Sequence, residues 1–445
     1  MYVSYKTGFS DAGLLTASMQ SCGPRTAYPP REGTEAGGIS AEWPVNMQVR
    51  LTESCAIADR LAVERHTDAR AIEAEWRLLE ATGIGAVFQR FDWVDAYVRH
   101  VVPHEGLEPA FLLGRLDGHA AFVLPLGIGR HGSLRIACWL GGSHSGYNFG
   151  LWSREGAEVV LQLGRDALEQ MLKEALPGVD GAVLNRMPRT LDGMAQPLAA
   201  LSSLPSAVQG YSVSLEGGMD AVIGRTNGGG RRRRARSKER RMAEIGPIDH
   251  GVVRNPAMVR EALDFFAEQK AQRLAEQGLP DPFAAPGVMD FLKDLADRSA
   301  GLSEPLLQIS QYRVADKPRA VVGSGVHRGR VNVYILTLAH DETLPHSPGQ
   351  VLMYRHIEEN CEAGRKAFDF GIGYELYKES WADTIHQLVD GYAAFTPTGA
   401  LALTAMRLGE RTKTTLRRNE RLWNALKALR RHGGAQVSEK DSDAG

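Results

Sequence analysis

A chain of 445 residues exceeds what one hydrophobic core ordinarily organises, so about two or three domains are expected. Its composition, 43% hydrophobic and 24% charged with a formal net charge of −1, is that of an ordinary globular protein; no apolar run approaches the ~20 residues of a membrane span, and the balanced charge argues against a surface built throughout for polyanions. The four cysteines, Cys22, Cys55, Cys138 and Cys361, are scattered without a C-x-x-C pair, which points away from zinc or a disulfide framework and toward reduced thiols in a cytoplasmic protein.

Residues 1–45 are rich in Gly, Ser, Thr and Pro without periodicity and read as a disordered leader, with Met47 an alternative start and no signal-peptide pattern. Residues 46–210 read as a first domain. Ala71, Ile72, Trp76 and Leu79 space a helix from Ala69 to Leu79, and Asp92 is placed to cap a second helix running to about Val101. Glu108–Gly114 and His119–Leu126 are strands joined through Asp117-Gly118, a strong hairpin signal. Leu134–Leu140 is a further strand, leading into a glycine-rich loop over residues 141–150. Val159–Leu176 reads as one helix and Gly181–Asn185 as a strand.

Residues 211–245 combine a glycine-rich linker, Gly224–Gly230, with a helix in which eight of the residues from Arg231 to Arg241 are basic and one is acidic. Three readings stay open for it: a solvated hinge helix, an electrostatic clamp on an anionic acceptor or on coenzyme phosphates, and a nucleic-acid surface, the last weakened by the lack of interleaved aromatics. Residues 246–400 form a second domain, with helices at Pro256–Gln277 and Val288–Arg298 and a hairpin of Leu306–Val314 and Arg319–Ser324 around Asp316-Lys317-Pro318. The order hairpin, strand, loop, helix, strand thus occurs in both halves, which implies duplication. A basic C-terminal helix over 401–433, with Leu416, Leu422, Trp423, Leu426 and Leu429 as a docking face, and a disordered 434–445 complete the chain.

The stretch with most chemical promise is Ser347–Lys378. Arg330–Leu338 is a β-branched strand. Ser347-Pro348-Gly349 opens a helix, since proline has the helical φ and no N–H to lose in the first turn. Met353, Ile357 and Cys361, with Tyr354, form its apolar stripe, while Arg355, His356, Glu358, Glu359 and Glu362 take the remaining positions, and Gly364 ends it. Lys366–Phe370 is a short strand with Phe368 and Phe370 on one face and Asp369 on the other. Strand, loop, helix and strand in this order leave the free N–H groups of the helix start beside a strand's carboxyl end, a site suited to phosphates.

A strand, Ser-Pro-Gly opening a helix, then Gly364 with Phe368-Asp369-Phe370-Gly371 and Tyr377-Lys378-Glu379-Ser380-Trp381, resembles the CelD-like, FemAB-related branch of the GNAT acyltransferases over roughly residues 69–398. The resemblance implies an α/β fold of two tandem GNAT-like domains, each a mixed twisted sheet flanked by helices, followed by the helical tail. It implies acetyl-coenzyme A or another acyl-coenzyme A as donor, with its pyrophosphate at Ser347, Pro348, Gly349 and Gln350. The first domain then helps bind the acceptor, with Trp93, Tyr147 and Asn148 as candidates there and Arg232 and Arg236 as candidates from the basic helix. This branch often has an acid beside the tyrosine of that loop, and Gly146-Tyr147-Asn148 has none.

Acyl transfer to an amine needs a deprotonated nucleophile, a stabilised tetrahedral intermediate and a proton for the departing thiolate. Lys378 is the first candidate, as a cation facing developing charge; the family's matching lysine is implicated in FemAB-type transfer. Asp369 is a candidate base or orienter of Lys378, Glu375 a candidate base, and Tyr377 or Tyr374 a candidate acid. Each could equally be a packed or surface side chain. No H-E-x-x-H, G-x-S-x-G or phosphate-loop motif is present, and His340 and His346 lack a third partner for a metal. The expected activity is N-acylation of an amino sugar or similar envelope or exopolysaccharide precursor. The alternatives are aminoacyl transfer from tRNA and non-catalytic ligand binding on the same fold.

Overall fold

The computed structural model describes residues 60–226 and 228–418, with side chains as far as Glu410. The leader, Met47, Cys22, Cys55, the docking face from Leu416 to Leu429 and the 434–445 tail lie outside what it describes.

The strands are β1 (Leu61–His66), β2 (Glu108–Leu116), β3 (His119–His131), β4 (Leu134–Trp139), β5 (Leu151–Trp152), β6 (Gly181–Pro188), β7 (Thr190–Leu191), β8 (Met194–Ala195), β9 (Ser202–Ser214), β10 (Ile248–Val252), β11 (Gln308–Val314), β12 (Lys317–His327), β13 (Arg330–Leu338), β14 (Ala367–Ile372) and β15 (Thr384–Ala394). All but the β7–β8 ribbon belong to one 13-stranded sheet, ordered β1-β2-β3-β4-β6-β15-β9-β14-β13-β12-β11-β10 with β5 added on β3. The two halves of this order match. An antiparallel meander (β1 to β4, or β10 to β13) is followed through a helical crossover by a parallel strand, β6 beside β4 and β14 beside β13.

The halves exchange their last strands. Strand β9 follows β6 in sequence yet pairs with β14, while β15 follows β14 yet pairs with β6, and the two pair with each other antiparallel at the centre. The position expected to end the first domain, Gly210, therefore lies inside the exchanged strand. The core is shared as well: one apolar cluster runs from Trp76, Phe111 and Trp152 to Phe266, Phe291 and Tyr334. Trp93 meets Phe291 and Tyr334 edge-on, with ring centres 5.5 and 5.1 Å apart, contacts worth about 0.5–1.5 kcal/mol each beyond burial.

Both hairpins turn through paired left-handed residues, Asp117-Gly118 as expected and Ala315-Asp316 one residue earlier than expected, because Pro318 is already in β12 opposite Arg313. Three other expectations need correction. The helix over 159–176 is two helices, Arg154–Leu161 and Arg165–Ala175, parted at Gly164, since both bury their own apolar faces. Arg90 caps the Phe91–His100 helix; Asp92 sits in its first turn, where Arg77 holds both carboxylate oxygens. His356 is buried on the Pro348–Glu362 helix, its Nε2 3.0 Å from Ser324 Oγ, because that helix is packed on the sheet on one side and under another helix on the other.

Candidate active site

Strands β13 and β14 pair over only Arg330–Asn332 against Ala367–Asp369. Beyond Asn332, β13 carries a bulge at Tyr334, where its register with β12 slips between Val333 and Ile335, and the two parallel strands diverge. Tyr334 is fixed from the first half, its hydroxyl 2.8 Å from His144 Nδ1. Burial lowers the His144 pKa to about 4, so the imidazole is neutral at pH 7. Divergence past a bulge opens the sheet at the strands' carboxyl ends, the usual place for a ligand in parallel β-α-β units.

The Pro348–Glu362 helix begins beside this opening: a Cβ on Gly349 would stand 3.1 Å from Leu338, the last residue of β13. Ser347 turns the chain through φ 55°, so Pro348 and Gly349 enter the helix from a left-handed residue with no side-chain cap; Gln350 and Val351 N–H donate to the Ser347 carbonyl at 3.0 and 3.3 Å, which leaves the Gly349 N–H as the first-turn donor without a backbone acceptor among the described residues. The equivalent opening of the first half is filled. Strands β4 and β6 also pair over three residues before parting, but the loop that follows folds back, with Asn148 donating from Nδ2 to Asn185 O and from its backbone to Arg186 O.

Lys378 lies in the opening of the second half. The short helix Leu376–Trp381 carries it, and its Nζ, 3% exposed by residue, donates to the Ile372 carbonyl at 2.8 Å. Burial lowers its pKa to about 8 against the raising effect of Glu375 and Asp369. A pocket of about 40 Å³ joins Lys378, Tyr377 and Glu375 to Phe370, to the bulged segment Val333–Leu336, and to Phe266, Lys270, Arg273 and Phe283. Tyr374 is outside it, half-exposed, with its hydroxyl donating to Glu379.

The other sequence candidates are elsewhere. Asp369 is fully buried; its Oδ1 accepts from Tyr147 Oη at 3.0 Å and from Gly371 N at 2.8 Å, and its Oδ2 faces Arg330 Nη1 at 3.5 Å. Tyr147 reaches it only because residue 210 is glycine, where a Cβ would stand 1.9 Å from the tyrosine oxygen. Trp93, Tyr147 and Asn148 are at most 2% exposed and belong to the junction of the halves.

The basic helix, Arg231–Ala243, packs against the Pro348–Glu362 helix. Ala235 and Met242 are buried, Glu239 holds Arg355 through two bonds of 2.8 and 2.7 Å, and Lys238 Nζ donates to Gln350 Oε1 at 2.6 Å in the first turn of that helix. Arg231 stacks 4.0 Å over Trp381 and Arg232 pairs with Asp220 at 2.6 Å. Arg233, Arg236 and Arg240 are left exposed along an open groove of about 960 Å³, whose far side is Ile248 and His250 of β10 and which also includes Arg355. The helix is thus half-buried beside the helix start that was expected to hold a pyrophosphate.

Lys270 and Arg273 were not anticipated. They share a face of the Pro256–Glu276 helix with Leu263, Phe266 and Leu274, and Lys270 is 7% exposed. The available signal was a lysine standing at an apolar-stripe position between Phe266 and Leu274.

Residues 229–379 match the family model described as an acetyltransferase (GNAT) domain. Among solved structures, the chain is similar to FemX, at 11% identity with a TM-score of 0.50 over 77% of this chain and 99% of that one. It is similar to a conserved protein of unknown function from Bacteroides thetaiotaomicron, at 13% identity and TM-score 0.47 over 75% of this chain and 100% of the other. It is also similar to a tandem GNAT protein from the clavulanic acid biosynthesis pathway, at 11% identity and TM-score 0.41 over 76% and 99%. None of the curated proteins compared matches it. No helix among the described residues is long and apolar enough to cross a membrane, and no group of His, Cys, Asp and Glu among them could hold a metal. Residues 229–379 thus carry a GNAT acetyltransferase domain, on a fold that the chain shares with FemX.

Proposed function

We propose that this protein transfers an acyl group, most simply acetyl, from acyl-coenzyme A to the amine of a phosphate-bearing sugar or envelope precursor. The observation that carries the reading is the uncapped start of the Pro348–Glu362 helix beside the divergence of β13 and β14, with Lys378 in the same opening. Pyrophosphate binds at the helix start through the N–H group of Gly349, with Lys238 adding a nearby cation through its bond to Gln350. The thioester then lies along the freed edge of β13. Glu375 takes a proton from the acceptor ammonium, and the free amine attacks the carbonyl carbon. As the C–N bond forms, negative charge on the carbonyl oxygen is met by the Lys378 ammonium, which has two donors left beyond its bond to Ile372. The C–S bond then breaks; Tyr377 supplies the thiolate's proton and its phenolate takes the second proton from the nitrogen, leaving a neutral amide, a thiol and the proton held by Glu375.

Binding of the donor is the direct test. Gly349→Val, which places branched carbons where the phosphate approaches and crowds Leu338, is expected to weaken acetyl-coenzyme A at least tenfold by titration calorimetry, with the circular dichroism spectrum unchanged. Wild-type affinity in the variant would put the donor elsewhere.

The exposed arginines give a second expected result. Replacing Arg233, Arg236 and Arg240 together by Glu leaves Arg231 and Arg232 in their packing roles, so the fold persists. KM for a phosphate-bearing acceptor then rises, the effect shrinks at high salt, and donor affinity holds. Unchanged kinetics would leave the groove a merely solvated face. Retention of tRNA by the wild type, with a steep salt dependence that the variant loses, would favour aminoacyl transfer instead.

A further inference from the structure

The acceptor pocket has a charge balance that the reaction scheme does not use. Lys270, Arg273 and Lys378 line it with Glu375 as the one carboxylate. Lys378 is engaged with Ile372 and Glu375 is close enough to raise its proton affinity. Lys270 is different. Its Nζ makes no hydrogen bond among the described residues, and its nearest aromatic neighbour is the Phe283 ring at 5.9 Å. A lysine 7% exposed, flanked by Phe266 and Phe283 and without a protein acceptor among the described residues, keeps only a remnant of its hydration. Burial, and next Arg273, lower its pKa, while Glu375 and Asp281 act in the opposite sense. An anion arriving in the pocket would supply the missing acceptor and remove the repulsion among three cations.

Resting on the acyl-transfer reading above, we infer that Lys270 and Arg273 bind a carboxylate of the acceptor, held beside Lys378. The acceptor is then an amine that bears a carboxylate within a few bonds, an amino-acid residue or an acidic amino sugar, and a neutral amino sugar is disfavoured. Phosphates have the open arginine groove outside. The two basic sites therefore read different parts of one acceptor. Arg273 supplies a planar fork and Lys270 a buried point charge, a pair suited to the two oxygens of a carboxylate.

Calorimetry with product analogues tests this without the true acceptor. N-acetylalanine, its carboxamide and N-acetylglucosamine are titrated into wild type, Lys270→Met and Lys270→Arg. Wild type is expected to bind the acid at least tenfold tighter than the amide or the sugar, because the anion supplies an acceptor to Lys270 and Arg273 among the charges that line the pocket. Lys270→Met should lose the preference, and Lys270→Arg should keep it. Equal binding of acid and amide by wild type overturns the inference whether or not the variants fold, as does a preference that survives in Lys270→Met. Acetyl-coenzyme A titrated into the same wild-type protein separates the two claims. If it binds while acid and amide are alike, the carboxylate site alone fails; if it does not bind while the acid is preferred, the donor reading alone fails.

Discussion

Lys378→Met is expected to lower kcat by about 10²–10³ with little change in KM, because the ammonium meets charge that exists mainly in the transition state. The same substitution should leave stability level or raise it. A buried cation with one hydrogen bond is costly, and exchange for an apolar chain of similar length is often neutral or stabilising by about 1–4 kcal/mol. Loss of rate without loss of Tm separates a catalytic role from a packing role, since a packing lysine would show the reverse. Near-normal kcat in the variant would remove Lys378 from the chemistry and turn attention to Glu375 and Tyr377.

Activity and stability should also respond to pH in opposite senses. The folded-state pKa of Lys378 is lowered to about 8 from the ordinary 10.5, so its protonation opposes folding. That cost is fully present below about pH 8 and is relieved as pH rises toward 10.5, where the unfolded chain also loses the proton. Wild type should therefore gain Tm relative to Lys378→Met across this window. Over the same interval kcat should fall as the ammonium is lost. A kcat that rises through pH 8 would instead make neutral Lys378 a base.

How far such features can be read from the chain depends on whether local spacing or distant partners decide them. The Ser347-Pro348-Gly349 helix start, strand β13 and the Asp117-Gly118 turn follow from residues adjacent in sequence, and the structure has them where spacing puts them. Strands β9 and β15 were missed, since their pairing crosses the halves: β9 starts Ser-Ser-Leu-Pro, with a proline, and its partner β15 is about 180 residues away, a relation no local pattern carries. His356 and Lys270 failed for the same reason. Each is a polar residue on a helix face that only the neighbouring elements bury, His356 against Ser324 and Phe368, Lys270 against Phe283.

The site itself divides along that line. Lys378, Glu375 and Tyr377 are close in sequence and converge on one pocket, so a motif could find them. Trp93, Tyr147 and Asn148 were candidate acceptor contacts by resemblance; all three are buried, Trp93 against Phe291 and Tyr334, Tyr147 on Asp369 and Asn148 on Asn185. Arg232 and Arg236 differ from one another in a way composition hides. Arg232 is tied to Asp220 and Tyr354, while Arg236 faces the groove.

The largest expected effect on stability belongs to Asp369. Its Oδ1 already accepts two hydrogen bonds, and its Oδ2 lies 3.5 Å from Arg330 Nη1 and 4.0 Å from His386 Nε2, with Arg330 continuing to Asp192 at 2.6 Å. Asp369→Ala strips one of the two charge partners from the Arg330 guanidinium and removes the acceptor of Tyr147 Oη and Gly371 N at the centre of the fused sheet. The expected loss is about 3–5 kcal/mol, a large part of the ~5–15 kcal/mol that holds a typical protein folded. Asp369→Asn keeps an oxygen for Tyr147 and Gly371 and should cost less, and Tyr147→Phe only about 1 kcal/mol. Adding Arg330→Met to Asp369→Ala should recover part of the loss, because the stranded charge is gone; urea unfolding of the four proteins gives the coupling. Measured well below its midpoint, Asp369→Asn is expected to keep kcat within a few-fold of wild type. If that variant instead unfolds like wild type yet loses kcat about 10³-fold, Asp369 acts in the proton transfers and its bonds to Tyr147 and Arg330 serve to orient a base.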